Sequence, residues 1–387
     1  MPTAFDIPES TPTPLYYYDL GVLNATLDAV LSAACDYKVH YAVKANNNSR
    51  ILEIIAKRGL GADCVSGGEI RQAMDAGIKP ADMVYSGVGK TDGEIDFALT
   101  AGIGCFNVES IEELDIIASR AEALGTVASV ALRINPDIDA HTHEYITTGL
   151  AENKFGIPWS RLVEAVDVAL SLRGLRLRGL HFHIGSQVTV NEPWQILCER
   201  ANSMLDALAA RGVSVDYVNM GGGLGIDYDD PDANPIPDFK SYFDTFRRCL
   251  RVPAGARLHF ELGRSIVAQC GSLISRVILV KGGVDRDFVI LDAGMNNLIR
   301  PALYGAHHVI QNLSAPADAP CHVYDVVGPV CESADVFGNG VELPLTRRGD
   351  IMAIRSVGAY GEVMSSAYNS RPVADTLFVS SDSNTAI

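Results

Sequence analysis

Short apolar runs alternate with longer stretches of helical periodicity from residue 39 to residue 265. The apolar runs cover 39–45, 61–66, 83–87, 105–109, 129–135, 178–185, 215–223 and 258–265. Between them, stretches such as 68–76, 111–123, 160–172, 193–211 and 239–251 place apolar residues at helical spacing. Eight strand–helix units over about 250 residues predict an α/β fold, a closed parallel (β/α)8 barrel of the TIM type. A doubly wound open sheet is the rival, and eight units in one run favour closure.

After Gly271 the rhythm changes. Strand-like runs at 273–280, 287–293, 322–327 and 350–354 are separated by Gly-, Pro- and Asp-rich turns, with a short helix near Met364. This predicts a mainly-β sandwich or barrel of about 115 residues. The run Leu15–Asp19 joins it as a strand, since Pro12 and Pro14 isolate that run from anything earlier. The expected domains are 20–270 for the barrel and 1–19 with 271–387 for the β domain. The Ser- and Asp-rich tail after Pro372 reads as a mobile end.

Polar residues close nearly every predicted barrel strand. They are Lys44; Asp63 and Ser66; Ser86; Asn107 and Glu109; Arg133 and Asn135; His183 and Ser186; the run Gly221, Gly222, Gly223; and Glu261 with Arg264. The C-terminal strand ends of such a barrel form its active-site face. One polar strand end is ordinary, but eight on one face make a site. Lys44 carries the most chemistry. A lysine in a strand interior is costly to bury unless paired or neutral, and a neutral amine can form a Schiff base with an aldehyde. An isolated lysine at a strand end more often snorkels to the surface.

Composition narrows the partners. With 31 Lys+Arg against 47 Asp+Glu, the net charge of -16 excludes nucleic acid and anionic membrane as main partners. The eight cysteines show no C-x-x-C pair and read as reduced thiols of a cytoplasmic protein. No leader pattern or membrane-length apolar stretch is expected.

The glycine run 221–223, continued by Leu224 and Gly225, follows a strand and could bring backbone amides close to a phosphate. It fits neither a dinucleotide fingerprint nor a P-loop, and a glycine run alone is more often just a turn. His181 and His183, two apart, allow a zinc pair, a core histidine beside a polar one, or a histidine stacked on an aromatic cofactor. Glu261, Gly263 and Arg264 offer a carboxylate and a guanidinium at the last strand end, which could be a surface ion pair or a pyridine-nitrogen and anion site.

Together, Tyr-Ala-Val-Lys44-Ala-Asn, His-Phe-His183-Ile-Gly-Ser-Gln, Gly-Gly-Gly-Leu-Gly-Ile and Glu261-Leu-Gly-Arg264 resemble the pyridoxal-phosphate-dependent decarboxylases of the alanine-racemase-like fold. Asp292 through Arg300 to Tyr304, Gly328-Pro-Val-Cys331-Glu332-Ser, and Gly358 through Tyr368 to Arg371-Pro resemble the diaminopimelate-specific members. The resemblance runs from about Leu15 to Pro372. It departs at Leu262, where the family usually has proline.

The resemblance implies pyridoxal 5'-phosphate as cofactor and a head-to-tail homodimer with two shared active sites. Lys44 would carry the cofactor covalently, with His183 stacked on its ring and Glu261 at the pyridine nitrogen. Asp63, Ser186, Gly221, Gly222, Gly223, Gly263, Arg264 and Tyr368 would surround the cofactor or the adjoining substrate. Arg264, Arg300, Tyr304, Glu332 and Tyr368 would bind substrate, and Cys331 would donate a proton across the dimer interface. The implied reaction converts meso-2,6-diaminopimelate to L-lysine and carbon dioxide, the last step of lysine biosynthesis by that route. Arg300 and Glu332 would meet the distal carboxylate and ammonium, whereas an ornithine-type substrate would leave the arginine unpaired. The alternatives are a decarboxylase of ornithine, arginine or a carboxylated polyamine, a non-catalytic regulator, and a zinc hydrolase. The polar stretch 139–155, with His141, His143 and Lys154, reads as a lid or a solvated loop.

Overall fold

The structure is a computed structural model describing residues 5, 7, 11–138, 154–316 and 318–380. His141 and His143 of the expected lid lie outside the described residues. The chain forms two compact units, one of residues 27–225 and 238–263, the other of 1–26, 226–237 and 264–387.

The first unit is the closed parallel barrel. Its strands are Lys38–Ala42, Gly61–Cys64, Met83–Tyr85, Cys105–Val108, Ala128–Asn135, Leu175–His181, Tyr217–Asn219 and Arg257–Leu262. Each pairs with its neighbours in parallel register, and Arg257–Leu262 returns to Lys38–Ala42 to close the ring. Several of the intervening helices are started by side chains at their N-termini. Asn48 accepts from the Arg50 amide, Ser66 from Glu69, Ser110 from Glu113 and Asp238 from Ser241. Each such cap contributes about 1 kcal/mol. The Ile111–Ala123 helix then buries Ile111, Leu114, Ile117, Ala118 and Ala121, the stripe that its periodicity predicts.

The strands end earlier than the apolar runs suggest. The first stops at Ala42, and Val43–Ala45 is a single 3-10 turn. Ala45, Ile184 and Met220 lie past their strands yet are fully buried. Hydrophobic pattern reports burial rather than backbone hydrogen bonding, so it runs on into these packed loops.

The second unit holds an eight-stranded sheet. The long strand Gly271–Lys281 pairs antiparallel with Leu15–Asp19, Ile351–Ile354 and Asp287–Leu291. The N-terminal run is therefore a strand of this sheet, as expected. Leu15, Tyr17, Ile274 and Ala353 form a buried cluster there, joined by Phe5, Ile7 and Leu377. Val336–Pro344 adds a hairpin partner to Cys321–Val327 that its glycines concealed. The tail corrects an expectation: Asp375–Val379 is a strand parallel to Leu15–Asp19, with Phe378 stacked on Tyr18. Its polar residues sit on an edge, where one face meets water. Among the described residues no helix is long and apolar enough to cross a membrane.

Candidate active site

Lys44 lies in the 3-10 turn after the first barrel strand, not inside the strand. Its side chain is 41% exposed and its Nζ is 3.4 Å from the buried carboxylate of Asp63. The burial cost of a lysine inside a strand is thus largely avoided by position. Asp63 bears that cost instead. Burial, reinforced by the charge of Glu261, raises its carboxyl pKa, and Lys44 opposes the shift. Gly263 packs on the same turn, since a Cβ there would stand 2.9 Å from that of Ala45 and 3.0 Å from that of Ala42.

Glu261 is the centre of a buried network. Its Oε1 accepts from Asn107 Nδ2 at 2.9 Å and from Asn219 Nδ2 at 2.7 Å, and its Oε2 accepts from His181 Nε2 at 3.0 Å. Burial alone would raise this carboxyl; His181, with Lys44 nearby, outweighs it and holds the group well below the usual carboxylate range. A carboxylate can accept about four hydrogen bonds, and three are made among the described residues, which leaves an acceptor direction on Oε2. Asn107 also donates to Ser86 Oγ at 2.9 Å, tying a fifth strand end into the network. Glu109 and Arg133, also strand-end residues, form their own buried pair at 2.6 Å.

The glycine run is required by the backbones it touches. A Cβ on Gly222 would stand 1.5 Å from the carbonyl oxygen of Glu261. Gly221 (φ +69) and Gly223 (φ +108) take backbone shapes that other residues rarely adopt. The amide of Gly221 donates to Asn219 Oδ1, and that of Gly222 to His183 Nδ1 at 3.3 Å. His183 is kept neutral, first by burial and then by Arg133 and Lys44. Ser186 lies on the loop that runs beside the glycines, where Val188 N donates to Gly223 O at 2.9 Å and Gly225 N to Val188 O at 3.0 Å. Ser66, by contrast, is the cap of the Gly67–Asp75 helix.

The second unit holds two groupings of its own. Arg264 and Arg300 both donate to the phenol oxygen of Tyr228, each at 2.7 Å. Arg300 opens the helix Arg300–Tyr304, so Tyr304 lies one turn along the same face. Separately, Glu332 accepts from the Tyr368 hydroxyl, and the amide of Cys331 donates to Asn369 Oδ1 at 3.1 Å. The Cys331 turn is shaped by Asp335, whose carboxylate accepts from the amides of Met295 and Val330, each at 2.6 Å.

Residues 20–268 match the pyridoxal-binding domain of the pyridoxal-dependent decarboxylases. The diaminopimelate decarboxylase of Bacteroides thetaiotaomicron is 54% identical over 93% of this chain and 93% of its own. That of Zymomonas mobilis is 45% identical over 90% of this chain and 82% of its own. The chain belongs to the diaminopimelate decarboxylase family. A solved member, the Helicobacter pylori enzyme complexed with L-lysine, superposes with a TM-score of 0.91 at 40% identity, covering 98% of this chain and 94% of that one.

The barrel residues suit this family's cofactor. An ionised, buried Glu261 with an acceptor direction to spare matches a protonated pyridine nitrogen, and Lys44 is an accessible amine beside a carboxylate. Among the described residues, the buried Asp63 Oδ1 and His181 Nδ1 have no hydrogen-bond partner, as expected of a site built around a polar group. No cluster of His, Cys, Asp and Glu suited to a metal occurs among the described residues. His181 donates from Nε2 to Glu261, and His183 accepts at Nδ1 from the Gly222 amide. Sequence reasoning overlooked Asn219, Tyr228 and Asp335. Asn219 was detectable as a polar residue inside an apolar run; the other two look like ordinary loop residues until the chain is folded.

Proposed function

We propose that this chain decarboxylates meso-2,6-diaminopimelate to L-lysine, closing the lysine pathway as a cytoplasmic enzyme. The observation that carries the reading is the buried pair Arg264 and Arg300. Two guanidiniums held together inside a protein call for an anion, and diaminopimelate keeps a distal carboxylate that ornithine and arginine lack. The 54% identity to a diaminopimelate decarboxylase across 93% of the chain supports the same substrate.

Pyridoxal phosphate, when bound, supplies an electron sink for the carbanion left as carbon dioxide departs. Lys44 would hold it through its amine, and Glu261 would keep its ring nitrogen protonated. His183, neutral and oriented by the Gly222 amide, would present a ring face. Asp63, Ser186, Gly221, Gly222, Gly223, Gly263 and Tyr368 would complete the enclosure. On the substrate, Arg264, Arg300 and Tyr304 would bind the distal carboxylate, Glu332 the distal ammonium, and Cys331 would deliver a proton to the carbanion. We further propose a homodimer in which each active site takes Cys331 and Glu332 from the partner chain.

The test is carbon dioxide release from a panel of meso-diaminopimelate, ornithine, arginine and lysine, with lysine formation followed by chromatography. Diaminopimelate is expected to be the preferred substrate by at least about 100-fold. Faster release from any other member would overturn the assignment.

A further inference from the structure

We propose that Tyr228 is a specificity-determining positioning residue: its phenol oxygen sets the spacing of Arg264 and Arg300, so that the two guanidiniums take the distal carboxylate as a pair. The proposal rests on the diaminopimelate reading above and adds a residue to it.

Both Nη1 atoms lie 2.7 Å from the Tyr228 oxygen, so they stand no farther apart than twice that distance. Two buried cations at that separation repel unless something negative lies between them. The phenol oxygen fills that place, and the guanidiniums in turn pull its pKa down against burial. The ring adds a second hold, with Arg300 Cζ 5.0 Å and Arg264 Cζ 6.0 Å from its centroid.

Tyr228 is itself fixed from behind. His308 packs edge-on against its ring at 5.3 Å, donates from Nδ1 to the Arg355 carbonyl at 2.8 Å, and accepts from Arg300 at 3.4 Å. Arg355 also grips Asp232 at 2.9 Å, anchoring the 226–237 segment that carries Tyr228. Each guanidinium uses only one of its five N–H groups on the phenol. Tyr228 acts through the arginines and is not a catalytic residue.

The experiment compares full-length, cofactor-loaded wild type with Tyr228→Phe, which keeps the ring and removes the oxygen. KM for meso-diaminopimelate is expected to rise roughly 10- to 100-fold, with kcat within about threefold. Inhibition by L-lysine, which retains the distal carboxylate, should weaken by a similar factor. Inhibition by cadaverine, which has no carboxylate, should change by less than about twofold. An unchanged KM, or equal weakening of lysine and cadaverine, would overturn the proposal. Should the Phe variant not fold, 4-fluorophenylalanine at position 228 keeps the shape of tyrosine with a much poorer acceptor. It should shift KM and lysine inhibition in the same direction by a smaller factor, and no shift would overturn the idea. Wild type that makes no lysine from diaminopimelate defeats the substrate reading instead, and that is seen before any variant is compared.

Discussion

Glu261 shows how one residue's chemistry depends on its neighbours. A carboxylate at that depth would ordinarily take up a proton, but Asn107, Asn219 and His181 satisfy it and favour the charged form. Glu261→Gln removes the charge and keeps the volume. In rate measurements with saturating cofactor, kcat is expected to fall by about 10²–10³, with KM changed only a few-fold. The opposite electrostatic case is the stacked pair His40 and His259, joined Nε2 to Nδ1 at 2.9 Å in the barrel core. Burial pushes His40 down from 6.5 to about 4 and His259 down to about 2. Below pH 6.5 the unfolded chain binds protons that the folded barrel refuses, so stability falls as pH drops from there toward about 4. Above pH 6.5 both histidines are neutral in either state and contribute no slope. The loss is up to about 1.4 kcal/mol per pH unit for each histidine. Urea unfolding at pH 7.5 and 5.5 should show it, and His40→Asn should flatten the difference by about one histidine's share.

At the scale of elements, the strand ends matter more than the strands. The glycine run and the Val43–Ala45 turn are each shaped by backbone approaching backbone, and a side chain in the wrong place has nowhere to go. Gly222→Ala would drive a Cβ into the carbonyl of Glu261, displacing the carboxylate below it. It is expected to cost several kcal/mol, read as a lowered melting temperature or insoluble expression, whereas substitution of the exposed Gly89 should be near neutral. The tail strand Asp375–Val379 and the hairpin arm Val336–Pro344 escaped sequence reasoning for a related reason. Their pairing partners, not their own composition, make them strands.

At the scale of the whole molecule, the prediction concerns assembly. If the two sites of a homodimer each draw Lys44 from one chain and Cys331 from the other, Lys44→Ala and Cys331→Ala should each be nearly inactive alone. Mixing them under conditions that exchange subunits should restore about a quarter of wild-type activity, because half the dimers then hold one intact site. Activity per chain after mixing checks this. No recovery, with subunit exchange verified by mass, would argue for sites built within one chain.

Periodicity determined the eight strand–helix units, the β character after Gly271 and the strand at Leu15–Asp19, because burial imposes a regular spacing on apolar side chains that can be read without coordinates. The motifs likewise brought Lys44, His183, Glu261 and Arg264 into view as chemical types. Only the tertiary structure decided their states. It moved Lys44 out of the strand and into a half-exposed turn, kept Glu261 ionised through residues 42 to 154 positions away, and joined Arg264 to Arg300 through Tyr228. Charge state and orientation are set by neighbours in space, and chain distance carries almost no information about those.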